Sequence, residues 1–308
     1  MRGWRDILEE VGPSVKLVAG SVPPLITPLH PDGSLHRPAL ERQLGRLVGD
    51  VDAILVLGTT AEFAALPTDI ADAVVDVTVG AVGGQVPLVL GVGAASTAQA
   101  IANLTRVRPG ITAVAATTPY YFEAPAAMLE RHYTALADAS PVPLLLYNIP
   151  QNTHVALTAD TVARLATHSN IIGIKDSGED GSLFTALLEL RTDDFAVLQG
   201  NRQPETAELY RAGADGFVAG IENLIPGVMR ELMHAIDEPD KDAEASAVAR
   251  IASVSRVLVQ GNWLAGLKVA VGMLIGGGDA LAAPFEPIDD AGRAEIRQIL
   301  EELGLTPA

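Results

Sequence analysis

Residues 143–176 read PLLLYNIPQNTHVALTADTVARLATHSNIIGIKD, and two apolar runs in this stretch bracket a segment of a different rhythm. PLLLY and IIGIK are short, rich in Leu and Ile and free of polar alternation, as parallel strands buried on both faces are. Between them, LTADTVARLATH carries apolar residues at helical spacing. The stretch reads as strand, helix and parallel strand. The same unit recurs on either side, with apolar runs at 22–27, 53–58, 87–91, 111–117, 195–198 and 216–219. Eight such runs within about 200 residues predict an α/β fold, a (β/α)8 TIM barrel, more than an open doubly wound sheet; such barrels need roughly 250 residues as one domain.

Beyond Gly220 the strand pattern stops, and 221–235, 243–260, 264–275 and 290–303 read as helices. The DEPDKD run around Pro239 and the triplet Gly276-Gly277-Gly278 read as the loops between them. The expected organisation is a barrel over 1–220, with a short N-terminal extension, and a C-terminal helical appendage over 221–308.

The chain has 308 residues, 48% hydrophobic and 19% charged, enough to bury a sizeable core. Its 21 basic and 38 acidic residues leave a net charge of −17, a field that repels nucleic-acid phosphates and anionic membranes. With no cysteine there is no disulfide framework or thiolate nucleophile, which suits a cytoplasmic location. The opening segment, MRGWRDILEEVG, is too charged for a signal peptide. Residues 77–105 carry no charge, yet five glycines and a proline make them strand, loop and helix start, not a membrane span.

A barrel of this kind carries its chemistry at the C-terminal ends of its strands, so the polar residues that close the apolar runs are the candidates. IIGIK ends in Lys175, PLLLY in Tyr147, and AILVLG opens into a tight loop holding Thr59, Thr60 and Glu62. Lys175 shares a strand face with Ile171 and Gly173, and the glycine leaves room beside its stem. Partial burial disfavours an ammonium, and the neutral amine is the form that attacks a carbonyl to make a Schiff base. Tyr147 closes the neighbouring strand on the same rim, where a phenol and the threonine hydroxyls pass protons during carbinolamine formation and dehydration. Plainer readings stand beside these: a lysine that snorkels to solvent, a packed tyrosine, threonines that cap a helix.

Other signals are weaker. Gly91-Val92-Gly93 lacks the third glycine and the following acid of a dinucleotide loop, and reads as a tight turn. The six histidines show no metal-ligand spacing and read as surface or capping groups, so no metal site is expected. There is no nucleophile elbow and no P-loop lysine.

In order and spacing, these strand ends resemble the dihydrodipicolinate synthase and N-acetylneuraminate lyase superfamily of Schiff-base lyases. Gly58-Thr59-Thr60-Ala61-Glu62 is similar to its G-[ST]-T-G-E loop, Tyr147-Asn148-Ile149-Pro150 to its Y-N-x-P, and Gly173-Ile174-Lys175 to its G-x-K. Thr117-Thr118-Pro119-Tyr120-Tyr121 matches T-P-Y-Y. The resemblance implies Lys175 as the Schiff-base lysine, Tyr147 as proton donor and acceptor, and Thr59 with Tyr121 as the relay. It also implies that Tyr121 reaches into a neighbouring subunit, hence a homodimer or homotetramer. Thr60 would hold the carboxylate of a 2-oxo acid such as pyruvate, and Gly200 and Val218 would line the pocket. No cofactor beyond the covalent Schiff base is implied.

Two departures bear on substrate. Ala61 replaces the usual glycine, tolerable where φ is negative. Asn152 stands where dihydrodipicolinate synthases carry an arginine for the second substrate's carboxylate, and His154 stands at the following glycine. An amide cannot supply that bidentate clamp. Pro150-Gln151-Asn152-Thr153 and Lys175-Asp176-Ser177-Gly178 instead resemble 4-hydroxy-2-oxoglutarate aldolases. The expectation is a pyruvate-dependent aldolase of 4-hydroxy-2-oxoglutarate or 2-keto-3-deoxy sugar acid type. Alternatives are the synthase reaction, a sugar acid dehydratase, and a non-catalytic binding barrel.

Overall fold

The computed structural model describes residues 16–202 and 205–306; the charged opening segment, 1–12, lies outside them. Eight parallel strands among these residues run in sheet order β1-β8-β7-β6-β5-β4-β3-β2. They are β1 (Gly20–Ser21), β2 (Ile54–Val56), β3 (Leu88–Gly91), β4 (Ile111–Thr117), β5 (Leu144–Asn148), β6 (Ile171–Asp176), β7 (Ala196–Gln199) and β8 (Gly216–Phe217). The sheet closes where Leu25 N–H donates to Leu55 O at 2.8 Å and Leu55 N–H to Pro23 O at 3.0 Å, which makes it a (β/α)8 barrel.

Strand periodicity sorts the apolar residues into two layers. Val22, Leu55, Val89, Ala113, Ala115, Leu145, Ala196, Leu198 and Val218 fill the barrel interior. Their neighbours Ile54, Val56, Leu88, Leu90, Val114, Leu144, Leu146, Ile174 and Val197 face outward into a larger layer shared with the helices. Both faces are covered, so the strands carry no polar alternation.

Two elements differ from the sequence expectation. The first strand lies at Gly20–Ser21, ahead of the apolar run at 22–27. Pro23 and Pro24 lack the N–H a ladder needs, and the run continues only as isolated contacts, such as the bridge from Pro24 to Leu55. The helix expected over 221–235 is a 3-10 turn, Gly220–Asn223, then an α-helix, Val228–Asp237. Pro226 and left-handed Gly227 (φ 80°) separate them.

The remaining C-terminal helices are Lys241–Ser255, Trp263–Ile275 and Asp290–Glu302. Val228–Asp237 packs against β1, and Trp263–Ile275 packs against the 37–47 helix. The uncharged 77–105 window is the end of one helix, β3 and the 97–103 helix. No single helix among the described residues is long and apolar enough to cross a membrane.

Candidate active site

Thr117, Tyr147, Lys175 and Leu198 occupy partnered positions on β4, β5, β6 and β7, one row of side chains across the C-terminal rim. Tyr147 follows the inward-facing Leu145 by two residues, and Lys175 lies level with the inward-facing Leu198, so both project into the barrel mouth. Lys175 is 3% exposed, and its Nζ stands 3.8 Å from the centroid of the Tyr147 ring.

The chain leaves β2 through Gly58 into a 3-10 turn, Thr59–Ala61. The left-handed position is Glu62 (φ 61°), one residue beyond Ala61. Ala61 therefore keeps a helical backbone, and its Cβ brings no conformational cost. Thr27 Oγ1 donates to Ala61 O at 2.9 Å and fixes the turn to the start of the barrel. Thr59 Oγ1 then lies 3.1 Å from the Tyr147 hydroxyl.

A cavity of about 260 Å³ gathers Thr59, Thr60, Tyr147, Asn152, Lys175, Gly200 and Val218, seven of the eight candidate residues. Tyr121 is the exception. It adopts φ 86°, is 86% exposed, and packs edge-on against Phe122. Lys175 is the one charged side chain among the described residues lining the cavity.

The room for the lysine stem comes from a glycine other than the one the sequence suggests. A Cβ on Gly173 would meet Ala196 O at 2.3 Å, so that glycine allows β6 and β7 to approach. A Cβ on Gly200 would meet Lys175 Cε at 2.6 Å and Ser177 Oγ at 2.1 Å, so Gly200 clears the space.

Asn148 and Asp176, one position beyond Tyr147 and Lys175, tie the two strand ends together. Asn148 Nδ2 donates to Asp176 Oδ1 at 2.7 Å, and Gly178 N–H donates to the same oxygen at 3.2 Å. Burial, the larger influence, pushes the Asp176 carboxyl above its usual range against these bonds.

Several lining residues are not among the sequence candidates, although Gln151 and Ser177 stand inside the motifs quoted above. Ser177 follows Lys175 by two and shares its face; its Oγ is buried without a partner among the described residues. Gln151 and Asn201 border the cavity, and Gln151 Nε2 donates to Ser177 O at 2.8 Å. Leu258, Trp263 and Leu267 come from the C-terminal helical region and form the roof. Only long-range packing brings them there.

The histidines divide. His36 Nδ1 accepts from Ala39 N–H and caps a helix, as expected. His132 is buried, against the expectation of a surface or capping group, with Nδ1 2.9 Å from Thr97 Oγ1 and its basicity depressed by burial to about 4. Its neighbours on the apolar face of the 126–139 helix, Leu129, Tyr133 and Leu136, explain the placement. Among the described residues no group of three or more His, Cys, Asp or Glu could hold a metal ion.

The model of the Dihydrodipicolinate synthetase family matches residues 17–303. A 4-hydroxy-tetrahydrodipicolinate synthase of Xanthomonas axonopodis pv. citri is 35% identical over 236 residues, 76% of this chain and 78% of that one. An uncharacterized DapA-like lyase of Halobacterium salinarum is 31% identical over 289 residues, 93% of this chain and 94% of that one. Among solved structures, the chloride-inhibited dihydrodipicolinate synthase of Acinetobacter baumannii complexed with pyruvate is similar, with a TM-score of 0.86 and 29% identity. That likeness covers 94% of this chain and 99% of the other. With this barrel, this rim and a match over nearly its whole length, the chain belongs to the dihydrodipicolinate synthetase family and is an enzyme, a lyase of the class I aldolase kind.

Proposed function

We propose that the protein is a Schiff-base lyase that joins Lys175 to C2 of pyruvate or of a longer hydroxylated 2-oxo acid, of the 4-hydroxy-2-oxoglutarate or 2-keto-3-deoxy sugar acid type. The observation that carries this reading is the group formed by buried Lys175 and Tyr147 with half-buried Thr59, an amine beside a phenol whose hydroxyl lies 3.1 Å from a threonine. The neutral amine of Lys175 adds to the C2 carbonyl, and the oxygen takes a proton from Tyr147. The carbinolamine loses water to give an iminium. In cleavage, the 4-hydroxyl gives up its proton, the C3–C4 bond breaks to release an aldehyde, and its electron pair forms the enamine. Protonation at C3 and attack of water on C2 then free pyruvate and the lysine. Thr59 passes the proton on from Tyr147. The Thr60 hydroxyl and the loop N–H groups suit the substrate carboxylate, supplying hydrogen bonds without a competing cation.

The preference for a hydroxylated substrate rests on the lining. Gln151, Asn152, Ser177 and Asn201 supply amides and a hydroxyl, and the cavity has no described cation besides Lys175. In this reading the barrel carries the chemistry, Leu258, Trp263 and Leu267 of the C-terminal helical region roof the pocket, and Tyr121 acts in a neighbouring copy of a homodimer or homotetramer. The cysteine-free chain suits a cytoplasmic enzyme. The synthase relative, at 35% identity, favours a second reading, condensation of pyruvate with aspartate semialdehyde.

The test is borohydride reduction in the presence of pyruvate, followed by intact mass. A single reduced pyruvate adduct, absent in Lys175→Ala, is expected. A folded wild type without an adduct would refute the reading.

A further inference from the structure

Glu62 and Lys268 form an ion pair in which both side chains are 0% exposed. They lie 206 positions apart, one in the threonine turn and the other in the middle of the Trp263–Ile275 helix. The second carboxylate oxygen of Glu62, Oε2, accepts from Ala282 N–H at 2.6 Å. One carboxylate thus holds a helix and the segment after it against the turn that carries Thr59 and Thr60.

Glu62 is also the left-handed residue that ends this turn, with its N–H donating to Thr59 O at 2.9 Å. A side chain other than glycine holds that conformation against the steric preference of its Cβ, so something must keep it there. A buried charge pair is a poor source of net stability, because desolvation cancels most of the attraction. Burial draws the Lys268 ammonium below its usual basicity, and Glu62, the nearest opposing charge, counters this. What such a pair supplies well is a fixed geometry.

We propose that Lys268 and Glu62 are positioning residues: their pairing sets the backbone of the threonine turn, and with it the contact between Thr59 and Tyr147. Neither touches the lysine nucleophile. The same helix carries Trp263 and Leu267 into the roof of the cavity, so the pair also couples the roof to the relay. The inference rests on the Schiff-base reading above and assigns residues to its proton-transfer steps.

The test uses pyruvate alone in D2O. Exchange of its methyl protons for deuterium reads one step: C3 of the iminium loses a proton to the Tyr147 and Thr59 relay, and the electron pair forms the C2–C3 double bond. Lys268→Met alone strands a buried carboxylate and is expected to lower Tm sharply. The deciding variant is therefore Glu62→Gln with Lys268→Met, which removes both charges while keeping similar volumes and an acceptor for Ala282. It is expected to fold, to reach the full borohydride adduct once pyruvate has equilibrated with the enzyme, although more slowly, and to half-saturate within about threefold of wild-type pyruvate. Its maximal exchange should fall roughly tenfold or more, a share of the 10²- to 10⁴-fold that proton transfer by a placed group contributes. Wild-type exchange in the folded double variant would overturn the proposal, as would loss of the equilibrated adduct in step with exchange. Failure of the double variant to fold would overturn it too, because the pair would then serve the fold alone. Absence of an adduct in the wild type would remove the Schiff-base reading, and this role with it.

Discussion

Tyr147 and Lys175 are register partners on adjacent parallel strands, and the lysine nitrogen sits 3.8 Å from the centre of the tyrosine ring. The ring therefore covers the nucleophile while its hydroxyl reaches on to Thr59. Tyr147→Phe keeps the ring and deletes the hydroxyl. Pyruvate exchange in D2O is expected to fall by roughly 10²-fold or more, with half-saturation changed far less, the pattern of a lost proton carrier. Unchanged exchange would take Tyr147 out of the mechanism.

Gly200→Ala is expected to be more damaging than its size suggests. The added carbon would lie 2.6 Å from Lys175 Cε, a contact that must push the lysine stem aside. A misplacement of about 1 Å can cost on the order of 10²-fold, so adduct formation should slow markedly while Tm falls little. The initial rate of borohydride-trapped mass checks this, and a wild-type rate would show that the stem has room to spare.

Much of the rim is legible in the sequence because its signals are local. A strand end followed by a polar residue needs only the period-two pattern to place Lys175, Tyr147 and the threonine turn on one edge. The ladder at 20–27 is less legible, since an apolar run resembles a strand whether or not Pro23 and Pro24 can donate to it. Long-range features leave no trace at all. Nothing near Gly200 says that it faces a lysine stem. Nothing near Lys268 marks a partner 206 residues away; it stands as the lone charge in a helix that is apolar and buried on nearly every side.

Glu222 makes stability depend on pH. It is fully buried, Ser21 Oγ donates to its Oε1 at 2.5 Å, and its Oε2 has no partner among the described residues. Burial, with the nearby Asp52 charge adding to it, pushes the carboxyl from its ordinary 4.5 up to about 8. The folded chain then holds a proton that the unfolded chain releases above about pH 4.5. This contribution is fully present below that pH and is lost as pH rises to about 8, with a slope of at most about 1.4 kcal/mol per unit. The stability advantage of wild type over Glu222→Gln should shrink steadily between pH 5 and 8 in thermal melts. Parallel curves would contradict this.

Tyr121 is expected to act across a subunit interface. Its ring and that of Phe122 are 86% and 72% exposed, while an apolar cavity bordered by Phe63, Tyr120 and Phe285 opens beside Thr59. Tyr121→Ala should weaken association in sedimentation velocity and reduce exchange, and mixing it with an inactive Lys175→Ala variant should restore part of the activity. Full activity in a wild-type monomer would defeat the expectation.

Asn152 is where substrate choice is expected to turn. It lies in the short Pro150–Thr153 helix at the mouth of the cavity, and it also borders the apolar cavity next door. A second-substrate carboxylate arriving there meets amides, because among the described residues the lining holds neither an arginine nor a histidine. A missing charged partner at a partly buried carboxylate costs about 2 to 5 kcal/mol, on the order of 30- to several-thousand-fold. The wild type should therefore condense aspartate semialdehyde with pyruvate slowly and cleave a hydroxylated 2-oxo acid faster. Asn152→Arg should raise the condensation and impair the cleavage, since the guanidinium would bind the carboxylate of one substrate and crowd the hydroxyls of the other. A coupled assay on both reactions decides it. Wild-type condensation as fast as its best cleavage would restore the synthase reading, and would require the carboxylate clamp to come from a residue outside this cavity.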